Sequence, residues 1–297
     1  MEVICFNKEI RFPFYTFESE QRNTQLFDVI NVIEKPYLYE LETMIKSKTV
    51  NMSGRSVCYH IPTLFWEGDP SLGWALEIKD VLTLLWNQKL NNIYFTKDKE
   101  YTDERLLFWV LHTFLPIHLE LERIYRILHV GSVEIAGSAV LFLAPSFGGK
   151  STMVDYFLKQ GHSLLSDDSL GIDKREDGYY AVPSYPFHRP FRKPETLGEF
   201  TKHFLIEKKL IQIVYVLNKC DPATTVEIVE LKGIEKFKAF HYSAFIDLTF
   251  MKRERFEYFT DMAKHISVYR VTYPHDKRKL PDVYREIVAH YNQSVNF

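Results

Sequence analysis

Lys150 and Ser151 close the run LAPSFGGKST, Leu143 to Thr152. The run fits the Walker A pattern of a small residue, four variable residues and Gly-Lys-Ser, with Ala144 at the position where glycine is usual. Gly148 and Gly149 let backbone N–H groups turn inward around phosphate oxygens, and the start of a following helix adds partial positive charge. Lys150 brings a full charge to β- and γ-phosphates, and the Ser151 hydroxyl suits Mg²⁺. Candidate nucleotide-binding residues are therefore Ala144, Ser146, Phe147, Gly148, Gly149, Lys150, Ser151 and Thr152, with the bulky Phe147 placed to cover the base or the phosphates. Two adjacent acids, Asp167 and Asp168, follow the loop. Neighbours on a strand face opposite ways, so the pair divides into a metal ligand and a proton acceptor. Arg189, Arg192 and Lys193 form a basic cluster further on, suited to phosphate charge or an acidic acceptor. The competing readings are a glycine-rich turn, a solvated acidic turn and a solvated basic loop.

Elements must position these groups. VEIAGSAVLFLAP contains a turn at Ala136-Gly137 between two apolar runs, a hairpin whose second strand enters the loop. STMVDYFLKQG has helical spacing and Gly161 as its cap. HSLLSDDSLGID is a buried strand with the acids at its end, LIQIVYVLNK and ISVYRVTYP are further strands, TTVEIVEL is another, and helices lie near GIEKFKAF and over PDVYREIVAHYNQ. This is an α/β layout. Residues 103–128 have helical spacing, with Asp103 and Glu104 at the start and Pro116 as a kink. In the first hundred residues VICFNKEIRF and SVCYHI look like strands, while DVINVIEKPYLYELETMI and WALEIKDVLTLLWNQKL look partly helical. No catalytic motif stands there. The expected organisation is an α+β N-terminal region over 1–115, which recognises an acceptor or buttresses the rest, and a catalytic domain over 116–297.

A net charge of −2 gives no support for a nucleic-acid binder. Cys5, Cys58 and Cys220 are too far apart for a zinc cluster, and their odd number does not suggest a secreted disulfide framework. The N-terminus MEVICFNKEIRF lacks a signal-peptide core, and the most apolar run, LLFWVLHTFLPIHL at 106–119, is too short to span a bilayer. The expectation is a cytoplasmic protein without membrane contact.

LHVGSVEIAGSAVLFLAPSFGGKST followed by GHSLLSDDSLGI resembles the C-terminal catalytic domain of the HPr serine kinase/phosphorylases, and more closely their divergent HPr-kinase-related relatives. The resemblance covers about Leu128 to Ile172 and continues weakly to the C-terminal helix. Lys150 stands 21 residues after His129, and Asp167 stands 17 after Lys150, intervals similar to the family's. The resemblance implies an α/β kinase fold shared with phosphoenolpyruvate carboxykinase, and transfer of the γ-phosphoryl group of ATP, with Mg²⁺, to a protein or peptide serine. It places Lys150 and Ser151 on the phosphate and metal positions, Asp167 on the catalytic base, Asp168 on the second acid near Mg²⁺, and His129 close to the reacting phosphoryl group. Thr152 stands where the bifunctional enzymes carry an acid, and SYPFHRPFRKPETLGEF replaces their glycine-rich segment. The expected activity is that of a kinase without phosphorylase activity; a homo-oligomer stays open.

A different class is also present in the residues. DSLG at 168–171 and NKCD at 218–221 match the DxxG and NKxD of GTPases. Only 16 residues separate Ser151 from DSLG, too few for a switch loop and an extra strand. A nucleotide-binding pseudoenzyme and a kinase acting on a small-molecule hydroxyl are the remaining alternatives.

Overall fold

A computed structural model describes residues 1–14, 27–62, 73–145, 147–190, 193–221 and 225–295. The chain divides into two units, Met1–Ile124 with Phe191–Leu197, and Tyr125–Pro190 with Gly198–Phe297. Each is mixed α/β and, among the described residues, is built on a nine-stranded mixed sheet.

In the first unit, β-branched and aromatic runs alternate with tight turns. The strands are β1 Glu2–Cys5, β2 Lys8–Arg11, β3 Asp28–Glu34, β4 Ile45–Lys46, β5 Val50–Met52, β6 Arg55–Ile61, β7 Trp74–Ile78, β8 Leu82–Asn87 and β9 Asn92–Lys97. Their order is β1-β2-β3-β9-β8-β7-β6-β4, with β5 paired to β6. Two stretches expected to be partly helical are mainly strands, and their helical part is confined to short 3-10 turns at Tyr39–Thr43 and Gln88–Leu90. DVINVIE forms β3, and WALEIKDVLTLLWN forms the β7–β8 hairpin, which turns at Asp80 with φ +67°. Most of β7 and β8 is buried on both faces, so polar residues do not alternate with apolar ones and the period-2 signal is lost. A helical stretch follows. It runs through α1 Asp103–Phe108, a π-helical turn at Trp109–Phe114 and α2 Leu115–Leu121. Thr102 caps it by accepting the Arg105 N–H at 3.2 Å. Pro116 sits in the first turn of α2, just after the π turn, where a missing N–H is tolerated. The helix ends at Leu121 rather than 128, and 126–129 is a strand. The stretch 113–121 is buried throughout, and Phe114 stacks on Trp74 at 4.3 Å. Its apolar character is that of a core helix. Among the described residues no helix is long and apolar enough to cross a membrane.

The second unit contains β10 Arg126–His129, β11 Gly131–Ile135, β12 Ser138–Leu143, α3 Lys150–Lys159, β13 Leu164–Ser166, β14 Ser169–Arg175, β15 Gly178–Val182, β16 Phe187–His188, β17 Glu199–Phe200, β18 Lys209–Cys220, β19 Glu227–Glu230, α4 Ile234–Tyr242, α5 Lys252–His265, β20 Ser267–Pro274 and α6 Leu280–Val295. The main order is β10-β14-β15-β18-β12-β11-β13, with β20 on β18 and β19 on β20. The two small strands β16 and β17 pair separately. β12 shows how the layers arise. Ala139, Leu141 and Leu143 pack into the core with Phe240, Phe259 and Met262 of α4 and α5, while Val140 and Phe142 pack with Met153, Phe157 and Ile287 of α3 and α6. Alternate side chains thus serve opposite helical layers, which needs a strand apolar on both faces. β18 lies parallel to β12 and to β20. The stretch 162–173 is not one strand. It bends at Asp167-Asp168, so that β13 pairs antiparallel with β11 and β14 with β10.

Candidate functional site

The turn from β12 to α3 is closed by contacts between small residues. A Cβ on Gly148 would lie 2.6 Å from the Ala144 Cβ and 2.8 Å from the Pro145 carbonyl oxygen. Ala144 fits because position 148 has no side chain. Gly149 precedes α3 at φ +101°, a conformation that favours glycine, and offers no side-chain cap. Gly149 thus supplies no side-chain acceptor to the first N–H groups of this ten-residue helix. Lys150, 4% exposed, folds back along the turn and donates from Nζ to the Ala144 carbonyl at 2.6 Å and to that of Pro145 at 3.5 Å. Phe147 is held at φ +62° and is 88% exposed. Ser151 and Thr152 follow on the first turn of α3, both half-buried. Ser146 lies outside the described residues.

Both acids come to this end of the sheet. Asp167 and Asp168 are each 4% exposed and occupy the bend between β13 and β14. Asp167 Oδ2 accepts the backbone N–H of Arg189 at 2.6 Å. Its Oδ1 is buried and, among the described residues, has no hydrogen-bond partner. Burial pushes the carboxyl up to about 6, and Asp168 adds to the rise; the Arg189 N–H and a hydrogen bond from Ser151 work against it. Asp168 is engaged on both oxygens. Oδ1 lies 3.3 Å from His129 Nδ1, and Oδ2 lies 3.1 Å from Arg189 Nη2. His129 ends β10, and its backbone N–H donates to the Ser243 carbonyl at 2.6 Å. Lys150, Ser151, Asp167, Asp168, His129 and Arg189 thus belong to one unit, and Asp167, Arg189, Asp168 and His129 form a connected chain of contacts. Arg189 is buried and holds both acids, by its backbone and by its guanidinium. Arg192 lies outside the described residues, and Lys193 belongs to the segment 191–197 of the first unit.

No family model matches this chain, and no curated protein does. Among solved structures it is similar to the HPr(Ser) kinase/phosphatase of Coxiella burnetii, with 13% identity over 58% of this chain and 93% of that one. The TM-score is 0.36, a distant likeness.

Two further residues, not singled out as loop partners from sequence, touch the turn. Lys219 Nζ donates to the Phe147 carbonyl at 3.1 Å, and Tyr273 Oη reaches the Gly148 carbonyl at 3.5 Å. They are register partners on β18 and β20. Both residues follow the loop by roughly seventy residues or more, so only the strand pairing brings them there. The GTPase-like motifs are differently placed. Gly171 of DSLG lies inside the antiparallel ladder, opposite Ile127 and Val182, and Asn218 and Lys219 of NKCD are still within β18. Among the described residues no three His, Cys, Asp or Glu side chains converge as a metal cluster.

Proposed function

We propose that this chain is a kinase that transfers the γ-phosphoryl group of ATP, with Mg²⁺, to a serine hydroxyl of a protein or peptide. The observation that carries the reading is Asp167. It is a buried carboxylate with one oxygen lacking a partner among the described residues, in the same unit as the α3 helix, whose N-cap Gly149 offers no side chain to the leading N–H groups. A base of this kind, titrating near 6, is tuned for proton transfer near neutral pH.

In this reading Asp167 Oδ1 takes the proton of the acceptor hydroxyl. The hydroxyl oxygen bonds to the γ-phosphorus as the bond to the β–γ bridging oxygen breaks, leaving ADP. Lys150 would exchange its carbonyl contacts for phosphate oxygens, and the N–H groups from Gly148 onward would line the anion. His129 and Arg189 keep Asp168 in place. The Ser151 hydroxyl and Asp168, the latter sharing an oxygen with its His129 or Arg189 contact, would hold Mg²⁺, which would supply charge stabilisation at the phosphates. The donors fit a hard cation, which usually takes one or two carboxylates together with phosphate oxygens and water. Arg189 is engaged with Asp168, so we assign it to holding the acids rather than to cradling a second phosphate, and the activity to a kinase without phosphorylase action. The GTP-switch alternative needs Gly171 in a loop facing the γ-phosphate, and its ladder pairing speaks against that.

The test is to incubate the protein with γ-labelled ATP, Mg²⁺ and a library of serine peptides. Label should pass to peptide, and Lys150→Ala should lower the rate about a hundredfold or more. A Mg²⁺ titration separates the acids. Asp168→Asn should raise the Mg²⁺ requirement, and Asp167→Asn should lower turnover with ATP binding kept. Reversed phenotypes would assign the metal to Asp167, and a clear preference for GTP over ATP would favour the switch.

A further inference from the structure

Lys219 stands at the turn with no part in the phosphoryl transfer described for Asp167 and Lys150. β12 ends at Leu143, whose register partner on β18 is Val216, whereas β18 continues to Cys220. The last residues of β18 therefore run on beside the turn 144–149. They do so at the carboxyl end of parallel strands, where α/β ligands bind. There the Lys219 ammonium lies 3.1 Å from the Phe147 carbonyl. The same side chain bounds Gly149, since a Cβ on that glycine would meet Lys219 Cε at 2.8 Å. Among the described residues Lys219 has no carboxylate within ion-pair distance; its partner is a neutral carbonyl.

Lys219 is half-buried and its ammonium contact with the Phe147 carbonyl is open to solvent, with no carboxylate among the described residues to neutralise it. Phosphate oxygens would supply the missing charge. Resting on the reading of this turn as a nucleotide-phosphate cradle, we propose that Lys219 is a second cationic ligand for the polyphosphate, exchanging the Phe147 carbonyl for a phosphate oxygen when nucleotide binds. Lys150 and Lys219 then grip the anion from two elements that flank the turn. Tyr273, the register partner of Lys219, keeps the Gly148 side of the turn in place.

The experiment compares binding of ATP, AMP and inorganic tripolyphosphate by calorimetry for wild type, Lys219→Met, Lys219→Gln and Lys219→Arg, with thermal melts confirming that each variant folds. The charge-removing Met variant should weaken ATP and tripolyphosphate about tenfold or more, as expected for loss of a charge-assisted hydrogen bond. AMP should change little, and Arg should restore most of the loss. Gln keeps a donor for the Phe147 carbonyl without the charge, and it should bind as weakly as Met. Wild-type affinity in the Gln variant would overturn the proposal and leave Lys219 as a tether of the turn. Equal losses for ATP and AMP would also overturn it. If wild type binds neither ATP nor tripolyphosphate, the kinase reading itself fails and takes this inference with it. If wild type binds both and the Met variant matches it, only the role of Lys219 falls.

Discussion

Asp167 is expensive to ionise where it stands. Its carboxyl is pushed from 3.8 to about 6 chiefly by burial, against the help of the Arg189 N–H and Ser151. The folded state therefore binds this proton more tightly than the unfolded chain does. The associated stability is fully present below pH 3.8 and is lost as pH rises through about 6. At neutral pH the penalty is about 2–3 kcal/mol, because each tenfold change in proton affinity is worth about 1.4 kcal/mol. Asp167→Asn removes the charge and keeps the shape. It should melt higher than wild type at pH 7.5, lose that advantage at pH 4, and lose most phosphoryl transfer. Equal destabilisation at both pH values would show that the ionised carboxylate is not penalised by its burial. Wild-type turnover should rise with pH through an apparent pKa near 6 if this acid is the base, and a flat profile from pH 5 to 8 would argue against it.

At the level of elements, the site depends on α3 lying close to the sheet. Gly131 opens β11, and a Cβ there would fall 2.5 Å from Val154 Cγ2 on α3. Gly131→Ala should destabilise by about 1–3 kcal/mol through overpacking. Val154→Ala should recover part of that loss in the double variant, because the clash is between these two side chains. Strictly additive losses in denaturant melts would locate the cost elsewhere. Much of this element pair is legible in the sequence. The turn at Ala136-Gly137, the strand into Leu143 and the helix from Lys150 follow from local patterning and turn chemistry. The helix KRERFEYFTDMAKH, α5, is less legible. Its mean hydropathy is low, and only Arg255, Phe259 and Met262 are buried.

In the molecule as a whole, the chain leaves the second unit after Pro190 and re-enters it at Gly198, with Phe191–Leu197 belonging to the first. Glu195 anchors that excursion. It is buried at φ +52°. Its carboxylate accepts Trp109 Nε1 at 2.9 Å and Arg55 Nη2 at 2.7 Å, and it lies 3.2 Å from Arg105 Nε. Glu195→Ala should cost about 2–4 kcal/mol, the figure for breaking a buried pair reduced because both arginines keep some access to water. Hydrogen exchange should quicken first in the helical stretch 103–121, which carries Trp109 and Arg105. An exchange pattern unchanged there would mean that Glu195 does not hold the segment.

The residue types of the site, and the order strand, turn, helix, acids, were determined by the sequence itself. Each rests on spacing within about ten residues, where pleat, helical period and glycine conformation act locally. The tertiary structure alone decided which groups meet and in what state. Asp167 and Asp168 are chemically identical neighbours, yet among the described residues one keeps an oxygen without a partner and the other is engaged by His129 and Arg189. Lys219 reaches the turn because β18 outruns β12 in a parallel register. Strand pairing and burial join residues far apart in sequence, so no local pattern encodes them; the desolvation that raises Asp167 and the carbonyl that holds Lys219 exist only once the sheet has formed.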